Sequence, residues 1–503
     1  MLPAFSFQIV LSGRALPCQT GRRRADFDDA ALSRIWSCAP QRRNVGGDHQ
    51  NVFPLPGTNH LILRRGNTND HIVQRQWVRW AVGWLFLCQL EALDIVDRTF
   101  YGHWLGKSGD IVTQFINISQ IAISITLFLV GLRRWSSLHR GATILMSLAI
   151  FLLSSTAWSV VPAATFRGAI QYVFFILGLI GAAENIEGDD FMDVLASVCF
   201  LSAIVSLVLL LVAPGYVTEG SDFFGVFSYK NLLGQAMALG ALACLHRLWA
   251  RKRSRLLTLF MLLFMIFVAL KSSSATSCLA ILLFCILGTA LQLMQKGGAS
   301  KIIGVFLLAL LLLFAPVVAV GSDALFALIG KDPTLTGRTV IWTYVLPYIY
   351  QRPFLGWGYG AFWSTENPAA WEIANAIHWY SPEAHNGVLE ILLSGGLIGA
   401  VWFVYLFFRT IRISLRCMRY DSAMAITCLS CCVGVVVEGV SERVLVYIDA
   451  LAGVFFICGF FCEQTVSRAR RHPINYARSE FAHPGSSPTT AMVHAKLQGT
   501  QIG

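Results

Sequence analysis

The sequence predicts an all-α protein, a polytopic helical bundle that spans a membrane about twelve times. Three observations predict it. Hydrophobic residues make up 55% of the 503 residues and charged residues only 13%, about half the charge of an average globular chain. Mean hydropathy is +0.60. The apolar residues fall in runs of roughly 20, the length that crosses a bilayer core. So little charge cannot cover a soluble surface of this size, which excludes a cytosolic enzyme, a disordered chain and a disulfide scaffold.

Along the chain, residues 1–76 come first. They hold ten arginines and no lysine, with scattered Pro and Gly and no sustained period, and are expected to be a largely disordered cytoplasmic tail. The apolar stretch 5–10 is too short for a signal peptide and lacks a basic flank, so the first membrane helix is expected to direct insertion. Twelve spans are predicted: 77–93, 111–132, 142–161, 168–183, 191–213, 231–249, 255–270, 275–295, 302–320, 388–408, 422–440 and 446–463. The first is the weakest, with Arg79 inside it and Glu91 and Asp94 near its end. Together residues 77–465 form one transmembrane domain, interrupted by a long loop, 321–387. Residues 466–503 are a second cytoplasmic tail.

Charge sets the orientation. With the N-terminus inside, the short inner loops hold fourteen lysines and arginines and the short outer segments six, the bias that marks cytoplasmic loops. One inner loop, 184–190, is acidic instead. The net charge of +11 is thereby accounted for without nucleic acid as a partner. Of the thirteen cysteines, most lie in or beside apolar runs. No CxxC pair has a histidine nearby, so they read as packing residues rather than zinc ligands. Asp26-Phe27-Asp28 has the look of a metal-nucleotide motif but falls in the tail, in the wrong compartment.

The same orientation puts the long loop outside, where cations are scarce and each needs a reason. Thr336-Gly337-Arg338-Thr339 opens a segment with apolar residues at 341, 342, 345, 346 and 349, one stripe of a short helix limited by Pro347. Arg338 in its first turn either snorkels to lipid headgroups or grips a diphosphate. The run Arg352-Pro353-Phe354-Leu355-Gly356-Trp357-Gly358-Tyr359-Gly360 lacks the strand–helix context of a dinucleotide site; its glycines are expected to turn tightly and let backbone pack on the membrane domain. Glu383-Ala384-His385-Asn386-Gly387 precedes the tenth span. Asn386 is its expected N-cap. That leaves His385 at the outer mouth, either a local hydrogen-bonding group or a proton acceptor near neutral pH. A metal set of Glu383, His385 and His378 fits no strong spacing.

Arg167, Lys230 with Asn231, Lys271 and Arg352 also map outside. So do Glu438, Glu442 and Arg443 at the end of the eleventh span. Any one of these can be a helix-end anchor; their shared side argues for a site. Gly395 and Gly399 form a small-xxx-small pair suited to helix packing.

Taken in order, F-G-V-F-S-Y-K-N (224–231), T-G-R-T-V-I-W (336–342), R-P-F-L-G-W-G-Y-G-A-F-W (352–363) and E-A-H-N-G-V-L-E (383–390) resemble the O-antigen ligase and polymerase superfamily. The segment from Trp158 to Arg167 and the 356–363 run lean toward exopolysaccharide polymerases of the succinoglycan type. The likeness covers roughly residues 80–465 and departs from the common H-K-N by having Tyr229 before Lys230. It implies a GT-C-type membrane glycosyltransferase of the bacterial inner membrane, acting on a polyprenyl-diphosphate-linked oligosaccharide at the periplasmic face. His385 matches the essential loop histidine. Arg338 matches an arginine that binds diphosphate, and Arg167, Lys230 and Asn231 match further outer positions. Lys271, Arg352 and Glu383 join them as candidate substrate contacts. No cofactor and no metal are expected, because fixed guanidiniums can carry the leaving diphosphate. The bilayer is one partner; a chain-length regulator and a flippase are others. A ligase, differing only in acceptor, and a lipid-linked oligosaccharide flippase are the rival readings. A flippase calls for charge along a central path, and the predicted spans are nearly free of it.

Overall fold

The computed structural model describes residues 68–93, 111–132, 140–220, 222–250, 254–320 and 338–471. The tail up to residue 67, the segment 321–337 and the tail from 472 lie outside the described residues, and with them Cys18, Cys38 and Asp26-Phe27-Asp28.

Every predicted span coincides with a helix. They are α1 (Thr68–Gln89), α2 (Ile111–Leu132), α3 (Arg140–Ser154), α4 (Pro162–Asn185), α5 (Gly188–Val212), α6 (Lys230–Ala250), α7 (Arg255–Lys271), α8 (Ala275–Lys296) and α9 (Gly298–Val320). After the long loop follow α12 (Gly387–Cys417), α13 (Ser422–Gly439) and α14 (Ala450–Arg471). The loop itself contains α10 (Arg338–Gln351) and α11 (Pro368–Ile377). Eight of these helices are long and apolar enough to cross a membrane: α2, α3, α4, α5, α8, α12, α13 and α14. The chain is an all-α, multi-pass membrane protein. Seventeen-residue α7 spans only about 26 Å at 1.5 Å per residue. Helix α6 is wrapped by α5, α7, α8 and α13 and buried from Leu233 to His246. A helix enclosed by protein can carry polar groups that lipid would reject.

The helix ends overrun the predicted spans where charge is paired. Helix α1 starts within the segment read as tail because Arg75 and Arg79 reach Asp190 at the start of α5 (2.5 and 3.7 Å). Nearby, His246 Nε2 lies 2.9 Å from Asp189, and Arg247 lies 3.1 Å from Asp193. The acidic segment 184–190 thus supplies counter-charge to Arg75, Arg79 and His246 on other helices. Helix α14 likewise continues past residue 465 to Arg471.

The described part of the long loop, 338–387, is folded. Ile341, Val345 and Ile349 of α10 pack with Trp357, Phe362, Trp363, Ile373 and Leu393 in a core separate from that of the bundle. Its anchor is a break in α12. Gly396 adopts φ +60°, ψ −160° inside the helix. The freed backbone is taken up by the glycine-rich run: Leu397 N–H donates to Pro353 O (2.8 Å), Ile398 N–H to Phe354 O (3.2 Å) and Trp357 N–H to Leu393 O (2.7 Å). A Cβ at 396 would meet the Phe354 carbonyl carbon at 2.4 Å. The glycines of the run therefore do let backbone pack on the membrane domain. The pair Gly395 and Gly399 faces Phe151 of α3, where an added Cβ would stand 3.3 and 3.6 Å from the ring.

Candidate active site

The site forms where the turn before α12 meets the turn between α13 and α14. Asn386 is the N-cap of α12: its Oδ1 accepts from the N–H groups of Val388 (3.0 Å) and Leu389 (3.1 Å). Just before it, Ala384 is clamped on both sides. Its N–H donates to Glu390, and its carbonyl accepts from Trp342 Nε1 (2.9 Å). Glu390 is itself held by Trp363 Nε1 (2.8 Å) and Tyr447 OH (3.2 Å). These bonds hold His385 in the left-handed region, φ +50°. Such a conformation costs about 1–3 kcal/mol in a non-glycine residue and persists only where the surroundings impose it.

From there His385 turns Nδ1 toward two carboxylates, 2.8 Å from Glu383 Oε1 and 3.9 Å from Glu442 Oε2. Glu383 Oε2 lies 2.7 Å from Arg443 Nε. Arg338, the first residue of α10, donates from Nη1 to the Ser441 carbonyl and from Nη2 to Glu442 Oε1 (3.0 Å). Asn231, in the first turn of α6, donates to the same Oε1 (2.7 Å). Arg443 stacks over Tyr447, 4.9 Å from the ring centroid. Two carboxylates are thereby matched to two guanidiniums and an imidazole. A small cavity of about 30 Å³, lined by Glu91, Tyr229, Asn231, Glu442, Arg443 and Asp449, opens beside them.

Electrostatics follow from this geometry. Burial opposes a charge on His385, but Glu383 and Glu442 outweigh it and push its pKa up to about 9. Burial also opposes ionisation of Glu383; Arg443, His385 and Arg338 outweigh that and hold it below the usual carboxylate range. At neutral pH the resting pair is imidazolium and carboxylate. His385 Nδ1 is occupied by this partnership, so Nε2 is the nitrogen left for an incoming group.

The structure brings together His385, Arg338, Glu383 and Asn231 of the sequence-predicted residues. Lys230 is adjacent but bound to Asp222 on the β1–β2 hairpin (Thr218–Glu219, Asp222–Phe223), at 2.9 Å. Arg352 donates to the Trp158 carbonyl in the turn between α3 and α4 (3.2 Å) and lies over the Trp357 ring, tying the loop to that turn. Arg167 and Lys271 are exposed and, among the described residues, share no hydrogen bond or ion pair with the cluster, although Ser277, near Lys271, donates to Glu438 (2.9 Å). Glu442 and Arg443, which sequence alone offered only as charges ending a span, are central. For a metal, the set within reach is Glu383, His385 and Glu442, with ligand atoms within 4.8 Å of one another. His378 is instead exposed at the C-cap of α11. A cation there would have to displace guanidiniums already matched to these carboxylates.

Fold and site together define a polytopic helical membrane protein with a matched cluster of opposite charges at one end of its bundle. Residues 256–404 match the O-antigen ligase family. The chain is also 28% identical over 295 residues to the exopolysaccharide production protein ExoQ of Rhizobium meliloti, a match covering 55% of this chain and 66% of that protein, just under two thirds of its length. Both matches bear out the resemblance read from the motifs. The family match contains Arg338, Glu383 and His385, while Asn231, Glu442 and Arg443 complete the site from outside it.

Proposed function

We propose that the chain is a metal-independent membrane glycosyltransferase that joins polyprenyl-diphosphate-linked oligosaccharide repeats into exopolysaccharide, at the periplasmic face of a bacterial inner membrane. The observation that carries this reading is the His385–Glu383 pair set beside Arg338 and Arg443. An acceptor sugar hydroxyl attacks the anomeric carbon of the donor. The new glycosidic C–O bond forms as the bond to diphosphate breaks. The hydroxyl proton passes to His385 Nε2, and Glu383 stabilises the resulting imidazolium. Charge building on the leaving diphosphate falls to the guanidiniums. Arg338 has five N–H groups and commits two of them to Ser441 and Glu442, so three remain for phosphate oxygens.

The likeness to an exopolysaccharide production protein supports a polymerase; the family's description as O-antigen ligase supports transfer to a different acceptor by the same chemistry. Purified protein supplied with lipid-linked repeats separates these and the flippase. Glycans of increasing length, unchanged by a chelator, are expected. Movement of substrate across vesicles without bond formation would overturn the reading, and loss of activity with the chelator would remove its metal-independence.

A further inference from the structure

The far end of α12 carries a second, quite different concentration of charge. Helix α12 continues past its apolar part with Arg409, Arg412 and Arg416, and Arg419 follows in the turn. These positions are three or four residues apart, so they share one helix face. Arg140 at the start of α3 and Arg470 near the end of α14 converge on that face. With Tyr405, Phe408, Ile144, Ile413 and Val466 they line a cavity of about 510 Å³. A second cavity of about 430 Å³ adjoins it and adds Arg419. The only carboxylate lining either is Glu463, and it is taken: Arg409 lies 2.7 Å away, and the Gly141 N–H donates to it at 3.0 Å. Arg140, Arg412, Arg416 and Arg470 are exposed and line the opening with no acidic partner among the described residues.

Like charges gathered around a concave site repel unless an anion sits among them. The wall decides which anion. One side is guanidinium; the other is aliphatic and aromatic, and Tyr405 and Phe408 are 53% and 64% exposed on a helix apolar enough to cross the bilayer. A small soluble phosphate would satisfy the arginines and leave that apolar surface bare. A phospholipid covers both, with its headgroup among the arginines and an acyl chain along Tyr405 and Phe408. Basic pockets between membrane helices take lipid headgroups in this manner.

We propose that this cavity is a binding site for an anionic phospholipid, best filled by a headgroup carrying two phosphates, on the side of the membrane opposite the His385 cluster. Fixed guanidiniums on three separate helices suit a doubly charged headgroup better than a single phosphate. The proposal is independent of the reaction at His385.

The test is native mass spectrometry of the detergent-purified full chain with cardiolipin, phosphatidylethanolamine or inorganic pyrophosphate as probes. Cardiolipin is expected to stay bound where phosphatidylethanolamine is stripped. The double variant Arg412→Gln/Arg416→Gln should weaken cardiolipin binding about thirty-fold, each arginine contributing about a factor of five to six. Both residues are exposed, and a melting temperature close to the parent's identifies a folded variant. Should this variant not fold, Arg470→Gln alone gives the same test at about five-fold. Lys296→Gln/Lys301→Gln removes equal charge on the same predicted side but leaves the cavity intact, and should leave binding unchanged. Equal retention of phosphatidylethanolamine, an equal loss in the lysine variant, or displacement of cardiolipin by an equal concentration of pyrophosphate would each overturn the proposal.

Discussion

At the N-terminal end of α12, Arg338, Arg443 and His385 meet Glu383 and Glu442; at its C-terminal end, five arginines line a cavity whose carboxylate, Glu463, is bound by Arg409. In the first group three cations share two carboxylates, and every cation has an acidic partner. Each cation has a named acceptor and hence a fixed direction, so the group is poised for a reaction whose charge appears at a defined point. The second group is unmatched. Its members are held near one another by the helices that carry them, and an outside anion relieves their repulsion. A matched cluster is therefore sensitive to geometry, and an unmatched one to the number of charges. The break at Gly396 lies between them and ties the long loop to α12 on the matched side.

The largest expected difference is between His385→Ala and a lesion at the arginine end. Removing a general base lowers rate by about 10²–10⁴-fold, so His385→Ala should abolish polymer while the protein still reaches the membrane. Arg443 and Arg338 keep their carboxylates in that variant, so folding should survive. Glycan size analysis in cells, with membrane protein quantified alongside, checks both. Near-normal polymer would take His385 out of the chemistry. Next comes a conservative exchange. Arg338→Lys keeps the charge but cannot hold Ser441 and Glu442 at once, and a loss of about 10²-fold is expected, comparable to removing one donor to a developing anion. Arg412→Lys, at the unmatched end, should retain most cardiolipin binding. If both lysine variants behave alike, the distinction between geometry and charge fails.

The joint between the ends is tested by Gly396→Ala. Its φ of +60° and the 2.4 Å approach of Phe354 leave no room for a methyl group. The strain, about 1–3 kcal/mol, should fall on the docking of the 353–357 backbone. A lowered melting temperature in detergent with normal cardiolipin binding is the expected outcome. Equal damage at both ends would mean that α12 transmits the distortion along its length.

Much of this was legible in the sequence because it was local. Apolar runs placed α1–α9 and α12–α14, eight of them long and apolar enough to cross a membrane; the period of four at 341, 345 and 349 placed α10; Asn386 announced the start of α12. What escaped depended on distant pairing. Glu442 lies 104 residues from Arg338, and no pattern within either segment points to the other, so Glu442 and Arg443 looked like charges ending a helix. The positive-inside rule grouped Arg167, Lys271 and Arg352 with His385 by expected side, but side is not position, and among the described residues none of the three shares a bond with His385. Helix α11 was missed because its apolar residues cover loop structure that hydropathy reads as irregular. Gly396 was overlooked for a related reason. The neighbouring glycines read as a packing motif, and only the three-dimensional docking of 353–357 shows that one of them breaks the helix.

The finest test concerns protonation, since the matched end should titrate and the arginine end should not. His385 has its pKa raised to about 9, so at pH 7 about one molecule in a hundred carries the neutral imidazole that can accept a proton. If His385 is the base, kcat/KM should climb from pH 7 to pH 9 and level off as the proton is lost. In Glu383→Gln the main carboxylate partner is gone while Glu442 remains at 3.9 Å, so the midpoint should move down toward the ordinary histidine value of 6.5, with a lower plateau because the imidazolium is less stabilised. The same linkage affects folding. The charged His385 with its partners contributes stability that is fully present below pH 6.5 and disappears as pH rises through about 9, and this loss should be smaller in the glutamine variant. Cardiolipin binding at the arginine end should be flat across the whole range, because guanidiniums stay charged. A rate that instead falls as pH passes 9 would assign His385 the opposite role, a fixed cation facing the departing diphosphate, and would leave the acceptor hydroxyl to another base.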